Sequence, residues 1–442
     1  MNSEGIHSSS EEENSGGLLT ACFLAAGGGL AIGVIGAAFR ASLLMAEDWR
    51  VQLTQHAHAW PWIGWLIPVG LGVAGAVIAR AMVRMAPLAS GSGVQHVEAI
   101  MRGEAGRAPL RTLPIKFFGG LFAIGGGLAL GREGPTIQMG AVIGTELGKR
   151  FRQVAQCVRD LQAALGGAGL AVAFNAPMGG ALFVFEEVAK SFRLRLTVLT
   201  IIGITAAITS CRWVLGNKPD FDVASFAPGT VSGLLGFLLL GCFLGLLGAA
   251  YNRTSLFAID LLASLKKLPV EVRAGLVGLL VGIVGWFSPG MAGGGDGITQ
   301  EVLSSGLPLG FLFLVIVIRW ILGPLSYAAG TPGGIFSPLL LVGACLGHLF
   351  AVCWNEMVPL EMALAPAACA VAGMASFFTG IVRAPFTGVI LIMEMTASPQ
   401  LLVPMMAACA GAMLTATLIR NEPIYDSLRK RMLQSNIFTL RI

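Results

Sequence analysis

The chain has 442 residues, 55% of them hydrophobic and only 12% charged, with a formal net charge of +5 and a mean hydropathy of +0.77. This composition excludes a soluble multidomain protein. A charge so small for the length, carried in short loop clusters, also excludes an electrostatic nucleic-acid binder. The chain reads as an all-α polytopic membrane protein, with roughly ten apolar stretches near the length that spans a hydrocarbon core.

In chain order, the opening residues 1–16 are polar and acidic, lack the basic region and cleavage site of a signal peptide, and are expected to form a disordered tail. Apolar sequence begins with GLLTACFLAAGGGLAIGVIGAAF (17–39) and is then interrupted by glycine-rich stretches: GSGVQ (91–95), LPIKFFGG (113–120) and GREGPTIQMGAVIG (131–144). The last carries Arg132 and Glu133 side by side. FNAPMGGALFVFEE (174–187) ends on two glutamates, and VSGLLGFLLLGCFLGLLGAA (231–250) is a further span. MAGGGDG (291–297), the span 311–330, GGIFSPLLLVGACLG (333–347), VRAPFTGVILIMEM (382–395) and NEPIYDSL (421–428) complete the series. Basic clusters at 148–153, 190–195, 266–267 and 429–431 are of the kind that orients membrane proteins. The eight cysteines form no CxxC pair and no histidine stands at ligand spacing, so no metal site is expected.

Three landmarks of the first half recur in order in the second. The glycine-rich stretch at 91–95 has a partner in 291–297; Pro135 and Pro338 are each followed by glycine five and nine residues on; Pro177 and Pro385 share an Ala before, a Gly three after and a Glu nine after. Two related halves with Gly/Pro-interrupted segments at matching positions point to a transporter whose site lies between the repeats. Pro135 and Pro338 suit the first turn of a helix, where no amide donor is lost. The exposed amides and positive dipole end of such a turn hold an anion, and two of them, one per half, could converge on the same ion. Glu133, a charge that costs about 2.5–3.5 kcal/mol at bilayer depth, must then be buried against donors or in a water-filled cavity. Glu186 and Glu187, about 100° apart on a helix, cannot both face one pathway. Since Glu186 pairs with Glu394 in the repeat, Glu187 is left as the functional one.

GSGVQ, GREGP, GGIFSP and the late tyrosine of NEPIYDSL, with LPIKFFGG and GLAVAFNAPMGGALFVFEE, resemble the CLC family of chloride channels and chloride/proton antiporters over residues 20 to 430. The resemblance implies a CLC-type fold of roughly eighteen helices in two inverted repeats. It places the transmembrane domain at 17–432, with repeats at about 20–215 and 228–428, and leaves a short C-terminal tail at 433–442. It implies that Ser92 and Tyr425 offer hydroxyls to a central chloride, with the amides of Ile335 and Phe336 completing the shell and those of Phe336 and Ser337 holding a more external ion. Glu133 would be the gating glutamate and Glu187 the internal proton glutamate. Gly91, Gly93, Gly131, Gly134, Pro135, Gly333 and Gly334 would shape the pore motifs, and Arg132 would support structure. The implied function is secondary-active exchange of chloride for protons, with no cofactor, in a homodimer with one pore per subunit in a bacterial inner membrane.

Alternatives stand beside this. Ser92 alone reads as a loop hydroxyl satisfying backbone, Tyr425 as an interface-belt aromatic, and Lys116 as a paired or snorkelling lysine. Arg319, Arg383, His96 and His348 read as structural. A passive CLC-type channel would share every motif, and an intramembrane hydrolase would need Ser92 as nucleophile and His348 as base. Gln95 and His96 depart from the family pattern, which usually has proline and often an acidic residue there; retained Ser92 favours chloride, without excluding other small anions. With seventeen residues after Tyr425, the CBS domains of many eukaryotic members, and regulation by adenine nucleotides, are not expected.

Overall fold

The computed structural model describes residues 4–60, 62–223, 233–304 and 307–434, with side chains from residue 17 onward. The expected polar tail therefore falls mostly on residues whose side chains are not described, although helix begins at Glu4. Most of the expected C-terminal tail lies outside the described residues.

Seventeen α-helices account for the described chain, with five short 3-10 or π turns between them. Backbone that is surrounded by lipid has no water to bond, so each segment satisfies itself as helix. The first eight are α1 (Glu4–Ala57), α2 (Leu66–Met85), α3 (Val94–Met101), α4 (Thr112–Gly125), α5 (Glu133–Arg150), α6 (Ala155–Phe174), α7 (Pro177–Phe183) and α8 (Leu194–Leu215). The next eight follow in the same order of long and short: α9 (Gly233–Ser264), α10 (Val270–Phe287), α11 (Asp296–Ser304), α12 (Leu309–Ala328), α13 (Phe336–Asn355), α14 (Pro366–Val382), α15 (Pro385–Thr396) and α16 (Leu402–Leu418). A last helix, α17 (Ile424–Gln434), has no counterpart. Among the described residues, nine helical segments are long and apolar enough to cross a membrane, so the chain is a multi-pass membrane protein.

Packing repeats as well. α5 lies on α6 as α13 lies on α14, α1 on α8 as α9 on α16, and α2 meets its own counterpart α10. Small residues permit the close approach: a Cβ at Gly72 would collide with the carbonyl of Gly278, and one at Gly278 with that of Gly72.

The relation between the halves is legible at α7 and α15. Each begins with proline, two residues after a left-handed residue, Asn175 (φ 49°) or Arg383 (φ 72°). The Glu394 carboxylate near the end of α15 accepts the Met178 and Gly179 amides at 3.1 and 2.8 Å. Reciprocally, the Glu186 carboxylate beyond α7 accepts those of Phe386 and Thr387 at 3.1 and 2.7 Å. The start of each helix thus meets the end of the other, so these equivalent elements run antiparallel, as inverted repeats require.

The structure contains no strands among the described residues; two isolated bridges instead join the glycine-rich stretches. Gly91 pairs with Pro332 and Gly131 with Gly334. Gly131 and Gly334 exchange both hydrogen bonds at 2.8 Å. The signature turns of both halves therefore meet at the centre of the molecule.

Candidate functional site

Two buried cations hold the glycine turns. Lys116 on α4 donates to the carbonyls of Gly91 and Ser92 at 2.6 and 3.1 Å. Arg319, at the corresponding place on α12, donates to those of Met291 and Gly293 at 3.1 and 2.7 Å. Lys116 is therefore a paired lysine that fixes the Ser92 turn, and Arg319 is structural, as expected. Gln95 sits below the same turn with its amide 3.4 Å from the Tyr327 hydroxyl. His96 meets the Gly106 carbonyl at 3.0 Å.

Glu133 is the first residue of α5 and is fully buried. Its carboxylate reaches across to the start of α13, where Oε1 accepts the Phe336 amide at 2.7 Å and Oε2 lies 3.5 Å from the Ser337 hydroxyl. Glycine leaves room for it on both sides: a Cβ at Gly131 or at Gly334 would push the carboxylate oxygens out of this position. Ile335, Phe336 and Ser337 open α13, and Pro135 and Pro338 are the third residues of their helices. The acid thus occupies a helix N-terminus built to receive a negative charge.

Ser92 and Tyr425 are both fully buried, and neither hydroxyl has a hydrogen-bonding partner among the described residues. Ser92 Oγ lies against the backbone of Gly134, in the first turn of α5. The Tyr425 ring, on α17, packs 6.4 Å from that of Phe336. Buried polar groups are rarely left unpaired, so two unpaired hydroxyls beside the N-termini of α5 and α13 mark a place for a bound group. His348 lies on α13 and shares no hydrogen bond with Ser92, so the nucleophile–base pair that a hydrolase needs is not assembled.

Arg132 is tied up by a carbonyl and two carboxylates, although it also borders the cleft beside Glu133. Its Nε donates to the Ala173 carbonyl at 2.8 Å, and its other nitrogens pair with Asp220 at 2.8 Å and Asp296 at 3.0 Å. Asp220 also pairs with Arg40. Asp296, Glu47, Gly131 and Ser337 line a narrow cleft of about 30 Å³ beside Glu133, room for one small molecule.

Glu187 lies at the opposite side, on a π-helical turn (Val184–Val188) that continues α7. The wider turn separates it from Glu186, which caps α15. Glu187 is 2% exposed and pairs with Lys190 at 3.8 Å; Lys190 also reaches Asp426 at 3.6 Å. Its second neighbour is Glu98 on α3, a fully buried carboxyl group beside it whose oxygens have no hydrogen-bond partner among the described residues. Nothing in the local sequence marks Glu98. One glutamate seven residues after the Gly91 turn looks like a surface charge on a short helix; only its place next to Glu187 singles it out. Two buried carboxylates side by side repel each other, and a proton on either relieves the repulsion.

Basic residues define the sides. Asp426 pairs with Arg102 and Arg429, Arg193 with Asp160, and Arg431 with Asp260, which gathers the basic ends of α3, α6, α8 and α17 on the Glu187 face. By the positive-inside rule this face is cytoplasmic, and the cleft beside Glu133 faces outward. A cavity of about 290 Å³ between Gly91, Gly93, Gln95, Tyr327 and Arg431 lies under the Ser92 turn.

The profile described as voltage gated chloride channel matches residues 74–417. The H(+)/Cl(-) exchange transporter ClcA of Cronobacter sakazakii is 33% identical over 423 residues, covering 94% of this chain and 90% of the relative. The ClcA of Salmonella typhi is 32% identical over 94% of this chain and 89% of its own. Among solved structures, a slow cyanobacterial Cl-/H+ antiporter superposes with a TM-score of 0.88 at 31% identity, covering 94% of this chain and 98% of the other. A eukaryotic CLC transporter, 23% identical, shares the fold with a TM-score of 0.81 over 94% of this chain and 74% of its own. With its signature turns, its helix order and these matches, the chain belongs to the CLC family of voltage gated chloride channels and transporters.

Proposed function

We propose that the protein exchanges chloride for protons across the bacterial inner membrane. The carrying observation is the Glu133 carboxylate seated on the Phe336 amide at 2.7 Å. A carboxylate in an anion site competes with the anion while charged and gives way once protonated, so proton and chloride occupancy exclude each other at one place. Ser92, Tyr425 and the first amides of α13 at Ile335, Phe336 and Ser337 are the chloride-binding groups in this reading. The two unpaired hydroxyls support it. Glu187 passes protons between Glu133 and the cytoplasm; its burial, its contact with Glu98 and its link to half-exposed Lys190 support that role.

Exchange is favoured over a passive channel because an internal carboxylate pair serves no purpose in anion conduction alone, and because the similar ClcA proteins are named exchange transporters. The test is a chloride gradient imposed on proteoliposomes. Exchange drives protons uphill, and a channel does not.

The transport domain is assigned to residues 17–432, with repeats at about 20–215 and 228–428, which the matching order of α1–α8 and α9–α16 supports. The reading includes a homodimer with a pore in each subunit. In its support, Phe386, Met406 and Leu414 expose an apolar groove on α15 and α16. Light scattering of the purified protein should then give twice the 45.9 kDa of one chain; a monomer mass would refute the dimer.

A further inference from the structure

The cytoplasmic face carries a second concavity, of about 490 Å³, apart from the ion pathway. Three arginines converge on it from three separate segments: Arg102 at the end of α3, Arg159 in the second turn of α6, and Arg193 just before α8. Among the described residues no carboxylate lines it. Arg102 donates to Asp426 at 3.0 Å, Arg159 to the Gln156 side chain at 2.5 Å and Arg193 to Asp160 at 2.8 Å. A guanidinium has five N–H donors, so each keeps donors for a ligand. The first turn of α6, a 20-residue helix with no side-chain cap, opens beside them through Gln156. Its amides and dipole add to the same positive potential.

We propose that this cavity binds a phosphate group, and that its occupancy tunes proton delivery to Glu187. Several planar forks lining one cavity suit an anion with several oxygens better than they suit chloride. A basic pocket between helices at the cytoplasmic surface is also placed to take an anionic lipid headgroup. Lipid phosphate and free phosphate share the recognised chemistry.

The link to Glu187 runs through shared partners. Arg102 holds one oxygen of Asp426 and Lys190 lies 3.6 Å from the other; Lys190 lies 3.8 Å from Glu187. Ala189 and Ser191, on either side of Lys190, line the cavity. A phosphate that draws Arg102 from Asp426 leaves Asp426 to hold Lys190 more closely, away from Glu187. Coupled turnover then falls. This second half rests on the exchange reading above, whereas the binding half does not.

The experiment titrates inorganic phosphate into the purified full-length protein in neutral detergent at fixed chloride. It also measures turnover in phosphatidylcholine vesicles with and without phosphatidylglycerol. Arg159→Gln and Arg193→Gln should each weaken phosphate binding about tenfold, the size expected for one lost charge-assisted hydrogen bond. Among the described residues Arg159 pairs with no carboxylate, so its variant keeps the fold if loss of the Arg193–Asp160 pair does not. Phosphate binding that Arg159→Gln weakens supports a soluble ligand. A slowing seen only with phosphatidylglycerol, and lost in Arg159→Gln, supports a headgroup. If both variants match the unaltered protein in phosphate titration and in vesicles, the site is refuted; if phosphate binds and turnover is unchanged, the link to Glu187 is refuted. Chloride-driven proton flux in pure phosphatidylcholine, measured first, reveals separately any failure of the exchange reading.

Discussion

A carboxylate resting on the Phe336 amide obstructs an anion only while it is charged and in place. Lowering the outer pH protonates Glu133 and frees the site, so chloride flux should rise as pH falls. Glu133→Ala should abolish that pH dependence, keep chloride flux, and reduce chloride-driven proton flux by about 100-fold or more, the scale of a lost acid–base group. Persisting pH dependence in the variant would point to another gate. Glu187→Gln should remove proton flux on the same scale while chloride still passes; unchanged proton flux would remove Glu187 from the path. In the proposed site Ser92→Ala and Tyr425→Phe each take one donor from chloride, so calorimetry should find binding weaker by about 1 kcal/mol, and unaltered affinity would place the ion elsewhere. Glu133 was legible because an acid beside glycine and proline in apolar sequence demands a reason. Its neighbours were not. Asp220 and Asp296, which claim Arg132, stand 88 and 164 residues away, and no local pattern connects them.

Elements carry a different prediction. Glu186 and Glu394 cap α15 and α7 reciprocally, so each is structural although both are acids near the pore. Glu186→Ala or Glu394→Ala should lower unfolding stability in detergent by about 2 kcal/mol, from the lost charge-assisted bonds. Glu187→Gln, one residue away, should leave stability nearly unchanged. A thermal scan in which all three variants behave alike would contradict this division. The pairing of Glu186 with Glu394 was readable from the two proline-led segments, because equal spacing from Pro177 and Pro385 survives in sequence. The π turn that separates Glu186 from Glu187 was not, since one widened turn leaves no periodic mark. Nor was the shared task of Lys116 and Arg319, because a lysine and an arginine in apolar runs do not announce which carbonyls they hold.

Over the whole molecule, composition sufficed for a polytopic membrane protein, and the ordered landmarks sufficed for two halves. Their inversion required contacts, namely the antiparallel bridge of Gly131 with Gly334 and the end-to-start meeting of α7 and α15. That inversion brings the N-termini of α5 and α13, which come from different halves, to one central place, while the basic loops gather on the Glu187 face. In the proposed mechanism one site takes chloride or the Glu133 carboxylate in turn, and Glu187 supplies the proton that decides between them. The most direct test is proton movement in proteoliposomes under an imposed chloride gradient with no initial pH difference. Uphill proton transport that collapses in both Glu133→Ala and Glu187→Gln is the predicted result, and chloride movement with no proton flux in the unaltered protein would contradict it.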